Sequence, residues 1–153
     1  MTLKTLLALA LLATCPGLHA ENTAGARTPS ADGATVSFSN LSDGDVIPPG
    51  YVVRFMISGM GVAPAGAQIE NTGHFHLLID LPELPDFDRP LPANEHLLHF
   101  GQGHTYTKLE LAEGEHTLQL LLADYAHVPH DPPVISKPIR ITVDGDAPPQ
   151  TDP

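Results

Sequence analysis

The chain has 153 residues, of which 18 are Asp or Glu and only 7 are Lys or Arg, so its formal net charge is −11. An acidic chain with so few cationic side chains lacks the positive surface that binds nucleic acid or anionic lipid, and no nucleic-acid partner is expected. Cys15 is the only cysteine, which excludes an internal disulfide and any metal site built from several thiolates.

Residues 1–20 have the features of a secretory signal peptide. Lys4 supplies the positive charge, residues 6–13 form an uncharged apolar run, and Ala20 is a small residue suited to cleavage before Glu21. The apolar run is too short to span a bilayer, so no membrane span is expected. The predicted location is therefore the periplasm or the cell exterior.

A lipoprotein is the competing interpretation of this segment. Leu12-Ala13-Thr14-Cys15 resembles a lipobox, in which Cys15 would carry the lipid. Thr14 and the following Pro16 fit that motif poorly, and we prefer simple cleavage after Ala20. The remaining chain of about 130 residues is long enough for one hydrophobic core.

Residues 21–33 are small and polar and are predicted to form a flexible lead-in, and residues 144–153 a disordered tail. Between them, frequent Pro and Gly and the lack of helical spacing predict no helix. Strand periodicity occurs instead in residues 34–38, 52–57, 75–81, 105–111, 116–122 and 137–143. The tight Glu113-Gly114 connection predicts an antiparallel hairpin. Short strands separated by turns predict a single immunoglobulin-like antiparallel β-sandwich over residues 34–143.

His74 and His76 give the clearest functional signal, because they lie two residues apart in a predicted strand. Residues two apart share one face of a strand. The other face of this strand carries Phe75, Leu77, Ile79 and Leu81. The two imidazoles should therefore point away from the core, side by side, as joint coordination of a metal ion requires.

Two further histidine pairs follow, each with two residues between its members. His96 and His99 face opposite ways in a regular strand, and His99, beside the Gly101-Gln102-Gly103 turn, is the better candidate ligand. His127 and His130 lie in one of two Pro-rich loops, residues 82–95 and 124–133, where binding sites are common. Asp131 is a candidate hydrogen-bond acceptor or extra ligand for that pair. Hydrogen-bonded structural histidines are the alternative for both pairs.

The two single histidines are weaker candidates. His104 follows the glycine turn and is an opportunistic ligand at best. His116 shares a strand face with Leu118, Leu120 and Leu122, which predicts a buried hydrogen-bonding residue outside the metal site.

Four stretches together resemble a family of small exported bacterial domains, domain of unknown function 4399: TGHFHLLID (72–80), HFG (99–101), EGEHTLQL (113–120) and ADYAHVPHDPPV (123–134). The resemblance covers roughly residues 52–143 and implies export and a compact β domain, with no established activity. Members often read G-H-H-H where this chain has Gly73-His74-Phe75-His76, and H-F-G-G-G-Q-T-E where it has HFGQGHTY. The histidines that match the family pattern are His74, His76, His99, His127 and His130.

The predicted function is binding of a transition metal ion, Cu(II) or Zn(II), in the periplasm through His74, His76, His99, His127 and His130. No catalytic residue is assigned, because no activating base or nucleophile is evident. One alternative is a non-metal interaction module that docks an envelope protein and uses its histidines structurally. Another is a cupin-like metalloenzyme, since H-x-H followed by Glu113-Gly114-Glu115-His116 is faintly similar to the two cupin metal motifs.

Overall fold

A computed structural model describes residues 27–151. The predicted signal peptide, its cleavage position and Cys15 lie outside this range. Within it the structure is all-β, as the Pro and Gly content predicts, and no helix there could cross a membrane. The strands are β1 (Thr35–Phe38), β2 (Val46–Ile47), β3 (Val52–Ser58), β4 (Gly61–Val62), β5 (Thr72–Ile79), β6 (Leu97–His99), β7 (Tyr106–Lys108), β8 (Gly114–Ala123) and β9 (Ile139–Val143).

The strands form two sheets. The smaller has the order β1-β3-β7, and the larger has the order β2-β9-β8-β5-β4, with β6 also paired to β5. Most neighbours are antiparallel, but β2 pairs with β9, and β4 with β5, in parallel. The prediction of a wholly antiparallel arrangement is therefore wrong at these edges. Both exceptions involve two-residue strands that no hairpin joins to their partner, so no tight turn fixes their direction.

The hairpin predicted at Glu113-Gly114 is also wrong. β7, which precedes the turn, pairs with β3 in the smaller sheet, whereas β8, which follows it, pairs with β5 and β9 in the larger sheet. Where the chain crosses between the sheets, just after β7, Leu109 is 3% exposed and packs in the core.

One hydrophobic core is shared by both sheets. Phe55 of β3 lies against Phe75 of β5, with ring centroids 5.2 Å apart, and against Phe100, at 5.0 Å. Leu77 and Ile79 are buried in the same core, as the alternation of β5 predicts. Leu81 is not: Asp80 has a φ of 52°, which ends the extended alternation, and Leu81 packs in a different cluster.

That second, smaller cluster lies on the outer face of the larger sheet. Its buried members are Leu78, Leu91, Leu97, Leu121 and Ala123. Leu91 comes from the Pro-rich loop 82–95, and its N–H donates to the backbone carbonyl of His127 in the other Pro-rich loop, at 2.8 Å. The two loops therefore meet over the outer face of β5, the face that carries His74 and His76.

The segments that flank the predicted sandwich contact its body where they are described. In the segment 144–153, the side chain of Gln150 bonds both the N–H and the carbonyl of Val52, at 2.8 and 2.9 Å. In the lead-in, the N–H of Ser30 donates to the carbonyl of Asp131 at 3.0 Å.

Candidate metal centre

Strand pairing alone brings three of the predicted ligands together. β5 lies between β8 and β6, and in the β5–β6 ladder His76 stands directly opposite His99. His74 and His76 share the outer face of β5, with ring centroids 4.9 Å apart. The ring of His99 lies 5.0 Å from that of His74 and 5.1 Å from that of His76. The strand register therefore places three imidazoles on one patch of the outer face.

His127 reaches the same patch from the loop 124–133. Its ring centroid is 4.7 Å from that of His99, 5.1 Å from that of His74 and 6.4 Å from that of His76. We call this group of four residues the histidine cluster: His74, His76, His99 and His127. Three separate segments of the chain supply its members, so only the folded chain assembles it.

In three members of the histidine cluster, the ring nitrogens that could bind a metal lie close to one another. His74, His99 and His127 each offer one ring nitrogen, and these nitrogens lie within 4.8 Å of one another. Around a tetrahedral zinc ion, with Zn–N bonds of about 2.0 Å, neighbouring nitrogens are about 3.3 Å apart. Small side-chain movements would therefore bring the three nitrogens onto one ion.

The two inner imidazoles are buried without hydrogen-bond partners. His74 and His76 are 0% exposed, and neither ring nitrogen of either residue has a partner among the described residues. Burial, together with the neighbouring imidazoles, lowers the pKa of His74 to about 4 and that of His76 to about 3. Burial also lowers the pKa of His99. At neutral pH the inner rings are therefore uncharged, the form in which imidazole ligates a metal.

Asp124 builds the turn that presents His127. Its Oδ1 accepts hydrogen bonds from the N–H groups of Ala126 and Val128, at 2.9 and 3.0 Å. His127 itself has a φ of 67°, in the left-handed region that few side chains adopt. Such strain persists only where the surroundings impose it. The Asp124 bonds, and the bond from Leu91 to the carbonyl of His127, hold the residue in place.

A short N-terminal strap, residues 27–30, holds this loop from outside. The hydroxyl of Thr28 donates to Oδ2 of Asp124 at 2.6 Å. The guanidinium of Arg27 donates to the carbonyls of Pro129, at 3.0 Å, and His130. It also lies 3.7 Å from a carboxylate oxygen of Asp131. The strap therefore bonds the loop on both sides of His127, at Asp124 before it and at Pro129 and His130 after it.

His130 was predicted as a ligand, but the structure places it beside the cluster and not in it. It is 0% exposed, and its ring lies against β5 where Gly73 leaves room: a Cβ on Gly73 would stand 2.9 Å from Cε1 of His130. Neither of its nitrogens has a partner with hydrogen-bond geometry among residues 27–151. Burial lowers its pKa, although backbone groups of Leu122 and Thr72 favour the charged form. Asp131, the candidate extra ligand, pairs instead with Arg27.

The hydrogen-bonding role predicted for His116 is confirmed, but the residue is half-buried and not buried as predicted. Nδ1 of His116 contacts Oδ2 of Asp80 at 2.6 Å and Nε2 contacts the carbonyl of Ala112 at 2.9 Å, so His116 is a structural hydrogen-bonding residue. Its pKa is raised by these bonds, which outweigh the effect of burial. Because both its nitrogens are engaged, the second half of the cupin-like pattern contributes no ligand here. Nδ1 of His96 lies 3.1 Å from the carbonyl oxygen of Ile79, outside the histidine cluster.

Sequence reasoning missed the residues that position His127. Asp124 is only 5% exposed and bonds two backbone N–H groups of the turn after it. An Asp that opens a loop is a common turn former, so a signal for this role was present. Arg27 and Thr28 carried no such signal, because they are about a hundred residues away in the chain and reach the loop only through the tertiary fold.

Comparison with known proteins gives one match. A family model described as domain of unknown function (DUF4399) matches residues 53–144, which include the whole histidine cluster. No curated protein and no solved structure matches the chain.

Proposed function

The chain belongs to the DUF4399 family, and from that premise we propose that its histidine cluster binds a transition metal ion, Cu(II) or Zn(II), outside the cytoplasm. The observation that carries the proposal is the convergence of His74, His99 and His127, whose nitrogens lie within 4.8 Å of one another. His76 supports them from the buried side of the patch.

In the described part of the chain, the inner imidazoles lack the hydrogen bonds that His116 and His96 make, and buried His130 lacks them as well. A buried polar group without a partner costs about 1–3 kcal/mol, and His74 and His76 bury such nitrogens side by side. His116 and His96, in contrast, bond to neighbouring oxygens. Because His130 shares this lack, the missing bonds support the proposal only together with the convergence of His74, His99 and His127. Coordination of an ion would remove part of this cost.

The donor set favours a borderline transition metal over Ca²⁺ or Mg²⁺. Those hard cations prefer oxygen ligands, and the cluster offers imidazole nitrogen. With nitrogen ligands alone, intrinsic affinity favours Cu(II) over Zn(II). Zn(II) remains in the proposal because the metal that a protein carries also depends on supply.

A binding or carrier role fits better than catalysis. The buried carboxylate nearest the cluster, Asp124, uses Oδ1 for two backbone N–H groups and Oδ2 for the Thr28 hydroxyl. It is therefore occupied as a structural acceptor and is poorly placed to act as a general base. A metalloenzyme of the cupin type would also need the ligand that His116 does not supply.

Calorimetric titration of residues 21–153 with Cu(II) and Zn(II) tests the proposal. Wild-type protein should bind one ion tightly, and the double variant His74→Ala, His76→Ala should lose tight binding. His96→Ala is the matched control, because it removes an imidazole outside the cluster, and it should bind as wild type does. A folded double variant with undiminished affinity would overturn the proposal and leave the interaction module as the better interpretation.

Export and the finer fold class belong to the same proposal. The apolar run and Ala20 support cleavage before Glu21, so protein extracted from the cell envelope should have the intact mass of a chain that begins at Glu21. A lipid-modified Cys15 as N-terminus would contradict this.

An immunoglobulin-like sandwich is supported by the one core that both sheets share, and an experimental structure would test it.

A further inference from the structure

The histidine cluster is accessible to solvent mainly from one side. His74 and His76 are 0% exposed, and His127 is partly buried beneath its own loop. His99 is the exposed member. The second hydrophobic cluster and the loop 82–95 cover the neighbouring part of the same sheet face. An ion that enters or leaves the cluster therefore passes most easily beside His99.

A surface hollow lies at this position. It has a volume of about 480 Å³ and is lined by Ala65, His99, Gly101, Gln102 and His104. His99 thus belongs both to the cluster and to the wall of the hollow. A Cβ on Gly101 would stand 2.3 Å from Cε1 of His99, so the missing side chain at Gly101 leaves the space that the imidazole occupies.

The turn after β6 brings a second imidazole to the hollow. The N–H of Gly103 donates to the carbonyl of Phe100 at 2.9 Å, and Gly103 has a φ of 79° that suits glycine. The N–H of Ala65 donates to the carbonyl of Gly101 at 2.8 Å and anchors the opposite wall. His104 is exposed, and its ring bonds to no other residue in the range 27–151. Its nitrogens are therefore free to bind an ion from solvent.

We propose that this hollow is the route of metal exchange and that His104 is an entry ligand, which holds the ion together with His99 before the ion moves into the cluster. The proposal rests on the proposed function. The hydrated dication exchanges bound waters for ring nitrogens of His99 and His104. Nitrogens of His74 and His127 then replace His104 and further waters. The ion keeps its oxidation state throughout, and only water molecules are released.

An entry ligand changes the rates of binding and release, whereas a permanent ligand changes the affinity. Loss of the first binding site lowers the local concentration of the metal ion beside the cluster, and the next binding step depends on that concentration. His104→Ala should therefore slow both uptake and release of the ion while the dissociation constant stays nearly constant.

Stopped-flow exchange of Zn(II) with a chromophoric chelator measures both rates. His104→Ala should slow uptake and release of the ion roughly tenfold, because the hollow has lost one of its two imidazole ligands. His96→Ala, which removes an exposed imidazole away from the hollow, should exchange as fast as wild type. His104→Asp, which restores a metal ligand at the mouth, should recover much of the rate.

The outcomes separate this inference from the function on which it rests. Unchanged rates in His104→Ala would overturn the exchange route while leaving the metal site intact. A loss of affinity as large as that of His99→Ala would also overturn it, because His104 would then be a permanent ligand. Wild-type protein that takes up no Zn(II) and no Cu(II) would instead contradict the metal-binding proposal itself.

Discussion

Two of the three close histidine pairs, His74/His76 and His127/His130, have different positions in the fold. His74 and His76 both enter the histidine cluster, with ring centroids 4.9 Å apart. His127 enters the cluster, but its partner His130 is buried against Gly73 outside it. Both pairs look like metal-binding motifs in the sequence, yet only the first one enters the cluster with both of its members.

The difference comes from the backbone that carries each pair. A strand sends residues two apart to the same face, and the pleat leaves no other choice. A loop has no such fixed periodicity. Here the left-handed conformation of His127, with a φ of 67°, turns its ring toward the sheet patch, while the carbonyls of Pro129 and His130 are held by Arg27. Spacing is therefore a reliable guide to convergence in a strand and a poor one in a loop.

Metal affinity should show the largest difference between the two pairs. His127→Ala removes one of the three nitrogens that converge most closely, and affinity for Cu(II) or Zn(II) should fall well beyond the 10–100-fold typical of residues that only support a ligand. His130→Ala should stay within about that range, because it removes a neighbour and not a ligand. Calorimetry of both variants, with folding checked by thermal denaturation, makes the comparison.

The reverse result would be equally informative. If His130→Ala lost affinity as His127→Ala is expected to, the loop would have to rearrange when the ion binds, and the pair would act together after all.

Much of the site follows from the sequence because strands have a fixed period. The outward direction of His74 and His76, the preference for His99 over His96, and the hydrogen-bonding role of His116 all came from alternation or from the neighbouring glycine turn. The fold class was accessible for the same reason, since short alternating runs and no helical spacing predict strands. The complete burial of the inner pair was not, because His99 and His127, whose rings lie 5.0 and 5.1 Å from that of His74, come from other segments of the chain.

The features that the sequence could not predict are contacts between distant segments of the chain. Segments far apart in the chain are joined by the β3–β7 pairing, by the parallel β2–β9 edge and by the contact of Thr28 with Asp124. No local periodicity records such contacts. Asp80 is an intermediate case: its φ of 52° moved Leu81 to another cluster, and only the backbone shows where an alternation ends.

Acid sensitivity should also distinguish the first pair. The pKa values of His74 and His76 in the folded protein, about 4 and about 3, lie below the ordinary value of about 6.5. Between these values the unfolded chain binds more protons, so the metal-free protein should lose stability as pH falls from about 6.5. Each pKa unit corresponds to about 1.4 kcal/mol, which predicts a loss of a few kcal/mol.

Urea denaturation with a chelator present, at about pH 7.5 and about pH 5 on either side of the ordinary His pKa, measures this loss. The variant His74→Asn, His76→Asn should lose much less stability between these conditions. His116 acts in the opposite direction, since its raised pKa adds stability below its ordinary pKa that disappears as pH rises through the folded value. Burial also lowers the pKa values of His99 and His130. Because wild type and variant share these residues and His116, the difference between their pH profiles reports on the inner pair. Identical pH profiles would show that the inner imidazoles become protonated without cost.

The smallest effect is expected at the strap, and it should act on the second pair alone. Thr28→Val keeps the side-chain shape but removes the hydroxyl that donates to Asp124 at 2.6 Å. Asp124 retains its bonds to the N–H groups of Ala126 and Val128, so the turn should loosen without unfolding. Metal affinity should fall by about tenfold, the low end of the range for residues that support a ligand, and stability by about 1–3 kcal/mol. Thr107→Val, in β7 of the other sheet, is the matched control and should change neither. If Thr28→Val bound metal as wild type does while losing stability, the strap would stabilise the fold without positioning His127.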